Sequence, residues 1–175
     1  MRLNLKQDVL YSQAAETFGR ALERMVQAYE ANPDKRRDLL QDIHLALWQS
    51  FANYAELCSM RTWVYRVAHN TAATHVAKEV RRNSAELVTL EEIETTPGLG
   101  YTESIADRQL ALQRLTELIR QLKPLDRQVM LLYLEGMDTE SIGEIVGISS
   151  GHARVQIHRI KNFLARRFHG GSRHE

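Results

Sequence analysis

Apolar positions along this chain recur at helical spacing. From about Ser12 to Asn32 the residues Ala15, Phe18, Leu22, Met25, Val26 and Tyr29 fall three and four apart, the period of a helix with one buried face. The run Asn32-Pro33-Asp34 ends that helix, because a residue before proline is biased away from the α region. A second helix is predicted from about Asp34 to Phe51, with Leu40, Ile43 and Leu47 on one side. A loop follows near 52–59. A third helix, from Met60 through Arg82, places Met60, Trp63, Val64, Val67, Thr71 and Thr74 along one stripe.

The pattern then lapses. Residues 83–104 hold TTPGLG, several glutamates and few periodic apolar positions, which predicts a flexible acidic linker. Helical spacing resumes near Thr102 with Ile105, Leu110 or Leu112, Leu115, Leu118, Ile119 and Leu122. Pro124 suits the first turn of the next helix, where no amide hydrogen is needed, and Gly136 suits its end. The expectation is an all-α chain of two small helical domains. Residues 1–82 form the first, 83–104 the linker, 105–169 the second and 170–175 a tail.

The run DTESIGEIVGISSGHARVQIHRIKNFL carries the clearest local grammar. Asp138 can cap a short helix, Thr139 to Val146, and Glu140 adds favourable charge to its first turn. Gly147 suits a left-handed turn, Ile148 plugs it and Ser149 caps the next helix. Gly143 allows close approach. Ala153, Ile157, Ile160 and Leu164 then make one narrow buried stripe. Gly151, Val155, His158 and Asn162 lie opposite it, with His152 and Arg159 on one flank, Arg154 on the other and Gln156 nearer the stripe. This is helix-turn-helix spacing, and such an outward face fits a DNA major groove. An ordinary helical hairpin with exposed arginines is the competing reading.

Charge separates these readings only through its distribution. The net formal charge is +1, yet six Lys/Arg stand against one acid from Gly151 to Glu175, and five against one from Arg61 to Arg82. Two basic segments thus flank an acidic one, and each can attract phosphate. The 43% apolar and 26% charged composition is that of an ordinary folded chain, and three prolines and nine glycines disfavour a turn-rich β architecture. A single cysteine, Cys58, excludes an internal disulfide and suits a reducing compartment. The N-terminal run MRLNLKQDVLYSQ lacks the apolar core of a signal peptide, and no run is long and apolar enough to span a membrane. The expectation is a cytoplasmic protein.

The second half, LKPLDRQVMLLYLEGMDTESIGEIVGISSGHARVQIHRIKNFL, resembles both the output domain of LuxR-type regulators and region 4 of bacterial RNA polymerase sigma factors. The first half separates them. DLLQDIHLALWQSF followed by RTWVYRVAHNTAATHVAKEVRR resembles sigma region 2, through Asp38, Leu39, Gln41, Asp42 and Trp48 and then Trp63, Tyr65, Arg66, Ala68, Asn70, Arg81 and Arg82. The order of the two halves and the short linker resemble the extracytoplasmic-function (ECF) group of the sigma-70 family.

That resemblance implies roles. Asp38, Leu39, Gln41, Asp42, Leu45 and Gln49 would dock on the β′ coiled coil of core RNA polymerase. Asn53, Tyr54, Arg61, Arg66, Asn70, Lys78, Arg81 and Arg82 would take the −10 element, where a base is flipped from the opened strand. Ser149, Ser150, His152, Arg154, Val155, Gln156, His158 and Arg159 would read the −35 element, and the second domain would meet the β flap. Control by an anti-sigma factor or a kinase is expected. The docking helix opens with Lys35, Arg36 and Arg37 where relatives carry acids, which implies weak polymerase binding until phosphorylation at Ser50, Ser59 or Thr62 adds negative charge. Met60 and Ala153 also stand where the family has Phe and a larger aliphatic.

Nothing suggests catalysis. No nucleophile, base and acid converge, and no glycine-rich phosphate loop occurs. His44, His69 and His75 lack metal-ligand spacing, so no metal or cofactor is expected. Trp48, Trp63 and Tyr65 read first as core aromatics, and Cys58 as a packing thiol. Two rival functions stay open. One is a LuxR-like regulator that binds duplex DNA without polymerase. The other is a degenerate sigma relative acting as an interaction module.

Overall fold

The computed structural model describes the backbone of residues 2–83 and 105–169, and the side chains of residues 5–81 and 108–167. The predicted linker and tail lie outside the described residues, as does the side chain of Arg82. Every regular element described is helical: α1 (Arg2–Tyr29), α2 (Pro33–Ser50), a 3-10 turn (Phe51–Asn53), α3 (Met60–Asn83), α4 (Ile105–Gln121), α5 (Pro124–Leu134), α6 (Thr139–Val146) and α7 (Ser150–His169). The chain divides into two compact units, one centred on α1–α3 and the other on α4–α7. The all-α expectation holds.

In the first unit α2 packs against both α1 and α3. Its turn from α1 is made by Asn32, whose Oδ1 accepts from the amides of Asp34 (2.9 Å) and Lys35 (3.2 Å), with Pro33 in the first turn. Such a cap contributes about 1 kcal/mol. The α2 seam is Leu39, Ile43 and Leu47, all essentially without solvent contact. This corrects the predicted seam by one residue: Leu40 is only half-buried. Each such side chain contributes roughly 1.5–3 kcal/mol on leaving water.

Two further expectations change. Helix α1 begins at Arg2, well before the predicted Ser12. Polar contacts seat its first turns on α2: Gln7 Nε2 donates to the Trp48 carbonyl (2.6 Å), Trp48 Nε1 donates to Asp8 (2.8 Å), and Tyr11 meets His44 Nδ1 at 3.1 Å. The buried side of α3 is Val64, Tyr65, Ala68, His69, Ala72 and Val76 rather than the predicted stripe. Thr71 and Thr74 instead return hydroxyl bonds to the carbonyls of Val67 and Asn70 and line an open groove. Small residues at 68 and 72 let α3 approach its neighbours closely, so the helix inserts its Ala-rich side.

In the second unit α5 packs on α4 and α7. Pro124 opens α5 as predicted, and Gly136 ends it at φ 74°. Arg127 is buried, and its Nη2 donates to the carbonyls of Leu122 (3.0 Å) and Arg120, satisfying acceptors that the end of α4 leaves free. Leu110 and Leu112 are both exposed, so the buried side of α4 starts later, at Ile119 and Leu122.

Candidate nucleic-acid and polymerase interfaces

Two surfaces gather the predicted site residues, one on each unit. On the first unit an open groove of about 990 Å³ runs between α2 and α3. Asp38, Asp42, Leu45, Ala46 and Gln49 line it from α2, and Asn70, Thr71, Thr74, Lys78 and Arg81 from α3. Asp38, Asp42, Leu45 and Gln49 of the predicted docking set and part of the predicted −10 set therefore share one groove, with Asp38, Asp42 and Lys35 on its α2 wall and Lys78, Arg81 and Glu79 on its α3 wall. Asp38, Asp42, Gln49, Asn70, Lys78 and Arg81 are all exposed, and Leu45 presents 55% of its surface to solvent. Gln41 is exposed but does not line the groove. Leu39 is fully buried, so it belongs to the core and not to a docking surface.

The cations that open α2 have local partners. Lys35 pairs with Glu79 of α3 across the groove. Arg36 donates to the carbonyls of Glu30 (3.2 Å) and Ala31 (2.7 Å), where the end of α1 leaves acceptors free. Arg37 pairs with Asp34. Arg37 and Asp34 keep 77% and 79% of their side-chain surface in solvent, so positive charge still stands at the start of α2. Of the three expected modification sites Ser59 is exposed, Ser50 half-buried and Thr62 buried. Thr62 is 5% exposed and its hydroxyl meets that of Ser59 at 2.9 Å. Ser50 Oγ donates to the Leu47 carbonyl (2.8 Å) and accepts from Trp63 Nε1 (3.0 Å). Phosphorylation at Thr62 would require the start of α3 to open.

Beside the groove lies the loop between the 3-10 turn and α3. Tyr54 packs tilted against Trp63, ring centroids 5.2 Å apart, and meets Phe51 edge-on at 5.9 Å. Its hydroxyl donates to the Cys58 carbonyl (2.8 Å), which pins the loop across its base. Burial first, then Cys58 and Glu56, raise the Tyr54 pKa and keep it a donor. Asn53 is exposed at the end of the turn. Glu56 takes a left-handed backbone (φ 60°) at the tip, and Leu57 beside it is 94% exposed. Sequence reading missed Leu57, since a lone leucine in a loop carries no period. Arg61 lies 5.9 Å from the Tyr65 ring centroid, and Arg66 is half-buried.

A part-buried pair stands at the edge of the groove. His75 Nε2 meets Glu30 at 2.9 Å, tying α3 to the residue that follows α1. Burial pushes the Glu30 carboxyl up, but the His75 and Asn32 hydrogen bonds and the charges of His75 and Lys35 outweigh it, leaving the pKa below its ordinary value.

On the second unit α6 and α7 form the predicted helix-turn-helix. Asp138 Oδ1 accepts from the Ser141 amide (2.7 Å), and that bond leads in holding its carboxyl below the usual value. Gly147 adopts φ 80°, the Ile148 amide donates back to the Gly143 carbonyl (3.0 Å), and Ser149 Oγ accepts from the His152 amide (3.2 Å). Ala153, Ile157, Ile160 and Leu164 are buried as predicted. His152, Arg154, Val155, His158 and Arg159 are exposed, with Ser150 and Gln156 half-buried. Gln156 accepts from Arg159 (3.2 Å), and His158 meets Asn162 at 2.9 Å, so polar side chains are partly ordered along the outer face.

Comparison with known proteins bears on both surfaces. The family model of "Sigma-70 region 2" matches residues 14–82, and that of "Sigma-70, region 4" matches residues 112–164. The chain is 25% identical to RNA polymerase sigma factor YlaC of Bacillus subtilis, over 71% of this chain and 72% of that one. It is 26% identical to the RNA polymerase sigma-H factor of Pseudomonas aeruginosa (73% and 70%), and 25% identical to the ECF RNA polymerase sigma-E factor of Haemophilus influenzae (73% and 71%). The fold is similar to that of CnrH, solved in complex with the cytosolic domain of CnrY, with a TM-score of 0.63 at 16% identity over 93% of this chain and 94% of that one. With region 2 over the α2–α3 groove and region 4 over the helix-turn-helix, in that order, the chain belongs to the sigma-70 family of RNA polymerase sigma factors, in its extracytoplasmic-function group.

Proposed function

We propose that this sigma factor binds core RNA polymerase through the exposed face of α2 and directs it to promoters with paired −35 and −10 elements. The observation that carries this reading is one open groove that Asp38 and Asp42 line from α2 and Lys78 and Arg81 from α3, with Lys35 and Glu79 paired across it. Asp38, Asp42, Leu45 and Gln49 meet the β′ coiled coil. Asn70, Lys78 and Arg81, with the pinned loop at Asn53 and Tyr54, hold the displaced −10 strand against polymerase. Taking one base out of its stack costs a few kcal/mol, and a loop already tied by the Tyr54–Cys58 hydrogen bond loses less entropy in receiving it. On the second unit α7 enters the −35 major groove, and this unit meets the β flap. The polymerase performs the chemistry, in the cytoplasm.

A protein antagonist is the regulator that this surface favours. CnrH was solved with the cytosolic domain of CnrY, and an open groove of mixed charge suits a protein ligand that excludes polymerase. Footprinting with purified bacterial core polymerase tests the whole reading. Protection of two separated elements, with unstacked bases at the downstream one only when polymerase is present, is the expected result. Equal protection by the chain alone would favour a regulator that binds duplex DNA without polymerase.

A further inference from the structure

The outer ridge of α7 carries one feature that phosphate binding does not require. Val155 is 57% exposed and is the exposed large apolar side chain among the described residues of that helix. Its surface neighbours His152, Arg154, His158 and Arg159 are all exposed and polar or basic. One turn earlier stands Gly151, where an added Cβ would meet nothing within 4 Å. The fold therefore does not demand glycine there, although glycine is a poorer helix former than alanine. A valine in an exposed helical position is also a poor choice for the helix itself. Both residues lower helix propensity, and they sit four apart on the same face.

Side chains on a helix lean toward its N-terminus, so the Val155 methyl groups lie over the turn that Gly151 leaves bare. The result is an apolar notch in a basic surface. The major-groove edges of the four base pairs present hydrogen-bonding atoms and one apolar group, the 5-methyl of thymine. Resting on the −35 reading above, we propose that Gly151 and Val155 form the notch that receives a thymine 5-methyl group, making Val155 a specificity-determining residue. Gly151 lets the base edge come close, and Val155 supplies the apolar contact.

The test uses the full chain with core polymerase on a promoter that the pair protects. Each thymine of the −35 element, on either strand, is replaced singly by deoxyuridine, which removes only the methyl group. One position is expected to lose roughly fourfold in affinity, the weight of one buried methyl. Val155→Ala should bind thymine and uracil DNA equally at that position, whereas His152→Ala should keep the discrimination. Gly151→Ala should hold or raise thermal stability while weakening binding. Indifference to every deoxyuridine, or a Val155→Ala variant that still discriminates, overturns the notch while leaving the −35 reading standing. Loss of all −35 protection in the unaltered complex would instead overturn both.

Discussion

Gly143 presses its bare Cα against the turn that follows α6, so that a Cβ there would stand 2.6 Å from the Ile148 carbonyl oxygen. The same two residues are joined by the Ile148 amide bonding back to the Gly143 carbonyl at 3.0 Å. The obstacle is backbone, so no side-chain rotation relieves it. Gly143→Ala is expected to destabilise the second unit by about 1–3 kcal/mol, as overpacking does. Thermal melting of the variant and loss of −35 protection should go together; an unchanged melting temperature would show that the turn can yield.

Tyr29 and His69 lie in contact within the first unit, the phenol oxygen 2.8 Å from Nδ1. Burial pushes the His69 pKa down to about 3. The folded form therefore keeps a neutral ring while the unfolded chain takes up a proton below about 6.5. Stability from this group is fully present above 6.5 and is lost as pH falls toward 3, at about 1.4 kcal/mol per unit. Denaturant melts of the chain between pH 7.5 and 5.5 should show this loss, and His69→Asn should flatten it. An equal slope in both proteins would contradict the assignment.

Asp42 is exposed on the groove wall, so its replacement should leave the fold intact. Asp42→Ala is expected to weaken binding to core polymerase several-fold, chiefly through a slower association that depends on salt. Core affinity equal to that of the unaltered chain would misplace the docking face.

Thr62 is buried, 5% exposed, in the first turn of α3. Thr62→Asp is expected to destabilise the first unit by a few kcal/mol, the cost of an unpaired buried charge, and not to raise core affinity. A gain in core affinity at unchanged stability would restore control by added charge.

How much of this was legible in the sequence depends on where the determining physics lies. The helix-turn-helix was readable residue by residue, because Asp138, Gly143, Gly147 and Ser149 act on backbone within a few positions of themselves. Pro124 and Gly136 were readable for the same reason. The start of α1 was not, since Gln7, Asp8 and Tyr11 are polar and are held by Trp48 and His44 from another helix. The buried side of α3 was misjudged because Ala68, His69 and Ala72 do not look like a core stripe, while Thr71 and Thr74 satisfy their own hydroxyls and can face the groove. Charge was the least legible. Lys35, Arg36 and Arg37 read as a repulsive cluster, yet Lys35 finds Glu79 of α3, Arg36 the carbonyls that follow α1, and Arg37 the Asp34 of its own helix.

The central claim is that this chain makes core polymerase start at promoters. Run-off transcription with purified bacterial core polymerase tests it most directly, on promoter DNA enriched by the chain and polymerase together, with and without the chain. The account predicts a discrete transcript only when the chain is present, and less of it when Asp42 or Arg154 is replaced by alanine. No chain-dependent transcript, despite tight binding to core, would contradict it and mark the chain as a sigma relative that occupies polymerase without initiating.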